Sequence, residues 1–182
     1  MNQKSMNIEQ FVTLSQGEWR SMRSGHSLAF KQFEEILSTI KIEIISTEDP
    51  TIKSMLKASK YRKSDSIMPF KISWSAESDW DINQDAKSNK GECYLIPIPN
   101  SSSEGKLIRS LGYAEKVASL AKYKFLNDGT FLLKTEYEHT FIEERIWFAS
   151  SNVRCRSSII FSLVEKSILQ TSFSSEIKLI IN

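Results

Sequence analysis

From about residue 66 onward, apolar and polar residues alternate with period two. That period belongs to half-buried β-strands and is incompatible with a helical stripe. Met68, Phe70, Ile72, Trp74 and Ala76 share one face of a predicted strand, and Lys71, Ser73 and Ser75 share the other. Tyr94, Ile96 and Ile98 continue the pattern, with Pro97 and Pro99 predicted to mark a sheet edge or a strand end. Leu107–Lys116, Tyr123–Leu126, Phe131–Tyr137, Phe141–Ala149, Asn152–Ser162 and Ile168–Leu179 follow at short intervals. Asn127-Asp128-Gly129 supplies a hairpin turn between two of them. Glu18–Ala29 and Glu35–Ser46 also fit strands. The sequence therefore predicts an all-β chain, with about ten antiparallel strands in up-and-down order. Closing such a meander into a barrel removes its exposed edges.

Two short helices interrupt this plan. Asn7 caps a predicted helix over Ile8–Leu14, with Gln10 at the capping-box position and Gly17 closing it. Asp49-Pro50 is a second start signal, and Ile52, Met55 and Leu56 recur at helical spacing up to about residue 60. The polar stretches Asn83–Gly91 and Asn100–Gly105 read as loops. No internal repeat or linker divides the chain, so 1–182 is expected to form one domain.

Composition removes several functions. Lys+Arg total 24 and Asp+Glu total 22, so the net charge of +2 leaves no uncompensated basic face for nucleic acid. No run of about 18 apolar residues exists to cross a membrane. The start, MNQKSMNIEQ, lacks a basic-then-apolar export pattern, so a cytoplasmic protein is expected. Cys93 and Cys155 cannot make a zinc site alone, and reduced thiols are the expectation. His26 and His139 have no metal-ligand spacing. Gly-x-Ser-x-Gly and phosphate-cradling glycine loops are both absent.

The alternation also sorts candidate chemistry. Ile142, Glu144, Ile146 and Phe148 share a face, which sets a carboxylate among three apolar side chains. On the next strand, Asn152, Arg154, Arg156, Ser158 and Ile160 share one face, and Val153, Cys155, Ser157, Ile159 and Phe161 share the other. Pairing through Ser150-Ser151 would bring Glu144 near Arg154. Parity alone leaves open whether the arginines point inward or into solvent, because the opposite face is the more apolar. Cys155 lies on the face opposite both arginines and reads as a bystander. Trp74 by itself reads as core. An inward set of arginines and a glutamate would suit an amphipathic ligand carrying carboxylates.

Longer strings narrow this. Gly17-Glu18-Trp19-Arg20-Ser21-Met22-Arg23-Ser24-Gly25-His26-Ser27-Leu28 and Phe33-Glu34-Glu35 resemble the N-terminal signature of the S/U-type phycobiliprotein lyases, the CpcS/CpeS family. So do Gly112-Tyr113-Ala114-Glu115-Lys116, Asp128-Gly129-Thr130, the run from Glu144 to Ser158, and Phe173-Ser174-Ser175-Glu176-Ile177. The resemblance implies a ten-stranded barrel of lipocalin or fatty-acid-binding type with an N-terminal helix. It implies a lyase that binds a free linear tetrapyrrole and attaches it by a thioether to a cysteine of an apo-phycobiliprotein. On this resemblance Glu144 and Arg154 are the catalytic pair. Arg20, Arg23, Arg156, Ser158 and Glu176 join them around the bilin, with Ile72 and Trp74 as its apolar wall. The resemblance places Arg154 and Arg156 inside. No metal and no further cofactor is expected, the bilin being the substrate.

An Ile-, Lys-, Asn- and Ser-rich composition, typical of AT-rich genomes, makes phycoerythrobilin and a phycoerythrin β-subunit the preferred substrate and acceptor. Phycocyanobilin on phycocyanin is the competitor. A bilin carrier that attaches nothing and a fatty-acid carrier are the alternatives. A homodimer through the outward Val153, Ile159 and Phe161 is also expected, in a cyanobacterial cytoplasm or plastid stroma.

Overall fold

A computed structural model describes residues 6–77, 90–110 and 119–179. The order is α1 (Ile8–Ser15), β1 (Gly17–Ser27), β2 (Gln32–Ile44), α2 (Pro50–Ser59), then β3 (Phe70–Glu77), β4 (Lys90–Pro99) and β5 (Glu104–Arg109). It continues with β6 (Ser119–Phe125), β7 (Phe131–Glu136), β8 (Thr140–Ser150), β9 (Val153–Ser162) and β10 (Ser167–Lys178). Each strand pairs antiparallel with its sequence neighbours, and β1 pairs with β10, so the ten-stranded sheet closes. Closure leaves no edge strand among the described residues. No helix among the described residues is long and apolar enough to cross a membrane.

Both predicted helices form for the predicted reasons. Asn7 accepts from the Gln10 amide and Gln10 returns the bond to the Asn7 amide, a complete capping box. Asp49 accepts from the Thr51 and Ile52 amides, and Pro50 occupies the first turn. Gly17 does not close α1; it opens β1 at φ 124°, a conformation suited to glycine. A 3-10 turn at Lys63–Asp65 was not predicted.

α1 plugs one end of the barrel. Its Phe11 stacks on Phe131 at 4.3 Å and meets Phe125 and Phe148 edge-on. Ile8, Val12, Trp19, Ile42, Leu107 and Ile146 belong to the same inner core. Trp19 donates from Nε1 to the Ser15 carbonyl at 2.8 Å, and Lys178 donates to the Leu14 carbonyl at 3.0 Å. These bonds latch the C-terminal end of α1, whose last carbonyls have no partner within the helix. α2 lies outside, where Ile52, Met55 and Leu56 pack on Ile96, Ile98 and Ile108.

Pro99 ends β4 as expected, and Pro97 and Pro99 pair only with β5, at Leu107 and Gly105. The Pro97 carbonyl accepts from Ile67 beyond the last β3 pairing at Phe70, so its missing N–H faces a place where the ladder has ended. The loop expected at 100–105 ends earlier, because β5 begins at Glu104; Lys90 and Gly91 belong to β4 rather than to a loop. The remainder of the 83–91 loop, the Gly112–Lys116 string and the end of the Leu107–Lys116 strand lie outside the described residues.

Candidate functional site

Between the plugged end and the opposite hairpins lies a cavity of about 440 Å³. Its walls differ in chemistry. Ile36, Ile40, Ile72, Trp74, Ala76 and Leu95, from β2, β3 and β4, form an apolar side. β1, β2, β9 and β10 add Ser21, Ser38, Ser158, Ser172 and Ser174, whose short side chains leave the room that larger ones would fill. This gives some of the chain's 29 serines a purpose.

The charged side is one alternating chain. Arg109 Nη1 stands 3.8 Å from Glu144, which on its other oxygen meets Arg156 Nη1 at 3.6 Å. Arg156 Nε is 3.6 Å from Glu176, and Glu176 holds Arg154 at 2.5 Å. Burial opposes the Arg109 charge, but Glu144 and neighbouring groups outweigh it and raise its pKa. Burial draws the Arg154 pKa down to about 10, against the pull of Glu176. Arg23 closes the series at the far end of the cavity, paired with Glu34 at 2.8 Å.

Most predicted site residues come together. Arg23, Ile72, Trp74, Glu144, Arg156, Ser158 and Glu176 all border the cavity. Both Arg154 and Arg156 point inward, the side that parity left open.

Arg20 does not join them. Trp19 is fully buried, which fixes the inward parity of β1 and turns Arg20 and Met22 outward. Arg20 there donates to Thr39 at 3.3 Å. Arg154 is inside but only 1% exposed; it borders a smaller recess of about 60 Å³ beneath the main cavity. Glu144 is not its partner, because the register sets Glu144 opposite Ser158 and Arg154 opposite Phe148 and Glu176.

Arg109 is a cavity-lining residue that sequence reasoning missed. It lies two residues after Leu107 on one strand and so shares its inward face. Cys93 was missed too; it lines the cavity with its Sγ 3.2 Å from the Ser110 carbonyl. Cys155 faces outward opposite Trp147. Among the described residues, no cluster of three His, Cys, Asp or Glu side chains is arranged to hold a metal.

Comparison with known proteins places this barrel. A family model described as "CpeS-like protein" matches residues 7–179. "Chromophore lyase CpcS/CpeS 3" of Trichodesmium erythraeum is 47% identical over 95% of this chain and 99% of its own. "Phycocyanobilin lyase subunit CpcS" of a Picosynechococcus strain is 31% identical over 87% of this chain and 80% of its own. The solved S-type phycobiliprotein lyase CPES of Guillardia theta superposes with a TM-score of 0.84 at 33% identity, covering 97% of this chain and 95% of that one. With the cavity and its arginine–glutamate chain inside a barrel of this kind, the protein belongs to the CpeS-like family.

Proposed function

We propose that the protein is a bilin lyase, which takes up a free linear tetrapyrrole and attaches it to a cysteine of an apo-phycobiliprotein. The observation that carries this reading is the two-sided cavity, apolar along β2–β4 and lined by Arg109, Glu144, Arg156 and Glu176 opposite. A bilin has the same division: an extended conjugated surface, pyrrole N–H groups and two propionates. Its size falls within the range that cavities of a few hundred Å³ enclose in large part. Guanidiniums suit carboxylates because their planar fork meets both oxygens.

Glu144 is the carboxylate placed to accept from pyrrole N–H groups and to favour the protonated tetrapyrrole. Protonation makes the exocyclic double bond of ring A a better electrophile. The acceptor thiolate then bonds through sulfur to the exocyclic carbon, and a proton goes to the adjacent ring carbon. The addition releases nothing and needs no oxidant. The chain contributes positioning and acid assistance, and the nucleophile comes from the partner. Trp74 and Ile72 supply the wall. Arg154 acts through Glu176 and Arg156 rather than by contact.

Phycoerythrobilin and a phycoerythrin β-subunit are the first pair to test, with phycocyanobilin and phycocyanin second. Incubation with bilin and apo-subunit should give a coloured band that survives denaturing electrophoresis and fluoresces with zinc. Reversible colour without that band would make the barrel a carrier and overturn the lyase reading.

A further inference from the structure

The barrel has two unlike ends. α1 fills the first. At the other, the β1–β2 turn over residues 28–31 and the β9–β10 turn over residues 163–166 lie side by side. The Leu28 and Ala29 amides both donate to the Leu169 carbonyl, at 2.8 and 3.4 Å. The turns are alike: each spans four residues and ends on a lysine with positive φ, Lys31 at 53° and Lys166 at 52°. Each also carries large apolar side chains into solvent. Phe30 is 77% exposed and Val164 70%, and Leu28, Leu163, Phe33 and Ile168 are between 41% and 56% exposed. Leaving six such side chains in water at one end of the barrel is a cost that folding alone does not explain.

We infer that these two hairpin tips form the docking surface for the thiol-bearing acceptor subunit. The inference rests on the lyase reading and goes beyond it by naming where the partner sits. Two observations select this occupant over a second copy of the chain. The six side chains expose on the order of 600 Å² together, short of the roughly 800 Å² per partner of a stable complex and suited to a transient encounter. An enzyme that must release its protein product needs an encounter of that kind. The tips also crown the strands whose Arg23, Ile36, Ser158 and Ser172 line the cavity, at the end away from α1. A copy seated there would obstruct the cavity, whereas an acceptor seated there delivers its cysteine toward the bilin.

The test is the variant Phe30→Asp/Val164→Asp, with bilin titration, attachment kinetics at varied acceptor concentration, and sedimentation. Bilin affinity and spectrum should match wild type while KM for the acceptor rises at least about tenfold. A milder Phe30→Ser/Val164→Thr pair should rise less and in the same direction. Wild-type attachment kinetics in the Asp variant would overturn the inference while leaving the lyase reading intact. A change in self-association with unchanged attachment would assign the tips to a second copy and overturn it as well. Failure of the wild-type protein to attach any bilin would instead remove the reading on which it rests.

Discussion

Arg154 and Glu176 stand opposite one another across the β9–β10 ladder, in an ion pair whose two side chains are each 1% exposed. The Arg154 guanidinium also lies over the Trp19 ring at 4.7 Å, and Trp19 holds the end of α1. The pair is thus the footing of the plug. Buried pairs come close to breaking even, but removing one member strands the other's charge at about 3–5 kcal/mol. Arg154→Ala should lose stability of that order in urea unfolding. Arg154→Met/Glu176→Leu should recover most of it. A single variant as stable as wild type would refute the footing role.

Glu144 lies between two guanidiniums, Arg109 at 3.8 Å and Arg156 at 3.6 Å. A neutral amide in its place keeps the shape and loses the charge that favours a protonated bilin. Glu144→Gln should shift the absorbance of bound bilin and slow attachment by about 10²-fold or more, with a smaller loss of affinity. Equal spectra and equal single-turnover rates would leave Glu144 without a role in protonation.

The fold was legible because alternation is local: Phe70, Ile72, Trp74 and Ala76 on β3 and Ile142, Ile146 and Phe148 on β8 mark an inward face in the sequence itself, whereas on β9 the more apolar face, with Val153, Ile159 and Phe161, turns outward. The site was legible only as far as parity reaches. Arg20 and Arg23 are three residues apart, so a continuous strand cannot turn both inward; Trp19 decides for Arg23. Glu144 lies six residues before the Ser150-Ser151 turn and Arg154 only three beyond it, so antiparallel pairing sets Ser158 opposite Glu144 and Phe148 opposite Arg154. Arg109 escaped notice because the adjacent apolar residues Leu107 and Ile108 put one apolar side chain on each face of β5, so parity does not say which face is inward. Leu107 points into the barrel and Ile108 beneath α2, and that packing is known only once α2 is placed.

Arg109 is placed to hold an anion as well as Glu144. Its Nη1 also donates to Thr135 at 3.4 Å, which orients the fork. Arg109→Met should weaken bilin binding by about 1.5–3 kcal/mol, the worth of a hydrogen bond to a charged group. Arg109→Lys should restore part of it, since an ammonium keeps the charge and loses the fork. Titration of bilin absorbance measures both, and an unchanged affinity in Arg109→Met would exclude the contact.

On the outer face, Glu143 accepts from Arg145 at 3.0 Å and lies 3.2 Å from Lys134. Burial raises its pKa, but the hydrogen bonds and charges of these two partners outweigh that and hold it below the usual 4.5. A carboxyl lowered on folding stabilises the folded state above its ordinary pKa. That stability is lost as the pH falls through the lowered value. The stability gap between wild type and Glu143→Gln should be level near pH 6, below about 1 kcal/mol, and close in acid. A gap that widens in acid would contradict the assignment.

Gly91 faces Trp74 across the β3–β4 ladder, and a Cβ at Gly91 would lie 2.3 Å from the Trp74 ring. No real Cβ sits so close, so the ring must swing. Trp74 is 41% exposed and free to do so into the cavity or out of it. Gly91→Ala should therefore leave the fold in place, shift the tryptophan fluorescence, and weaken bilin binding as Trp74→Ala does. Combining the two substitutions separates the effects. If Gly91 acts through the ring, adding Gly91→Ala to Trp74→Ala costs no further affinity. An additive loss would mean that Gly91 serves the bilin directly, by letting it approach the β4 backbone.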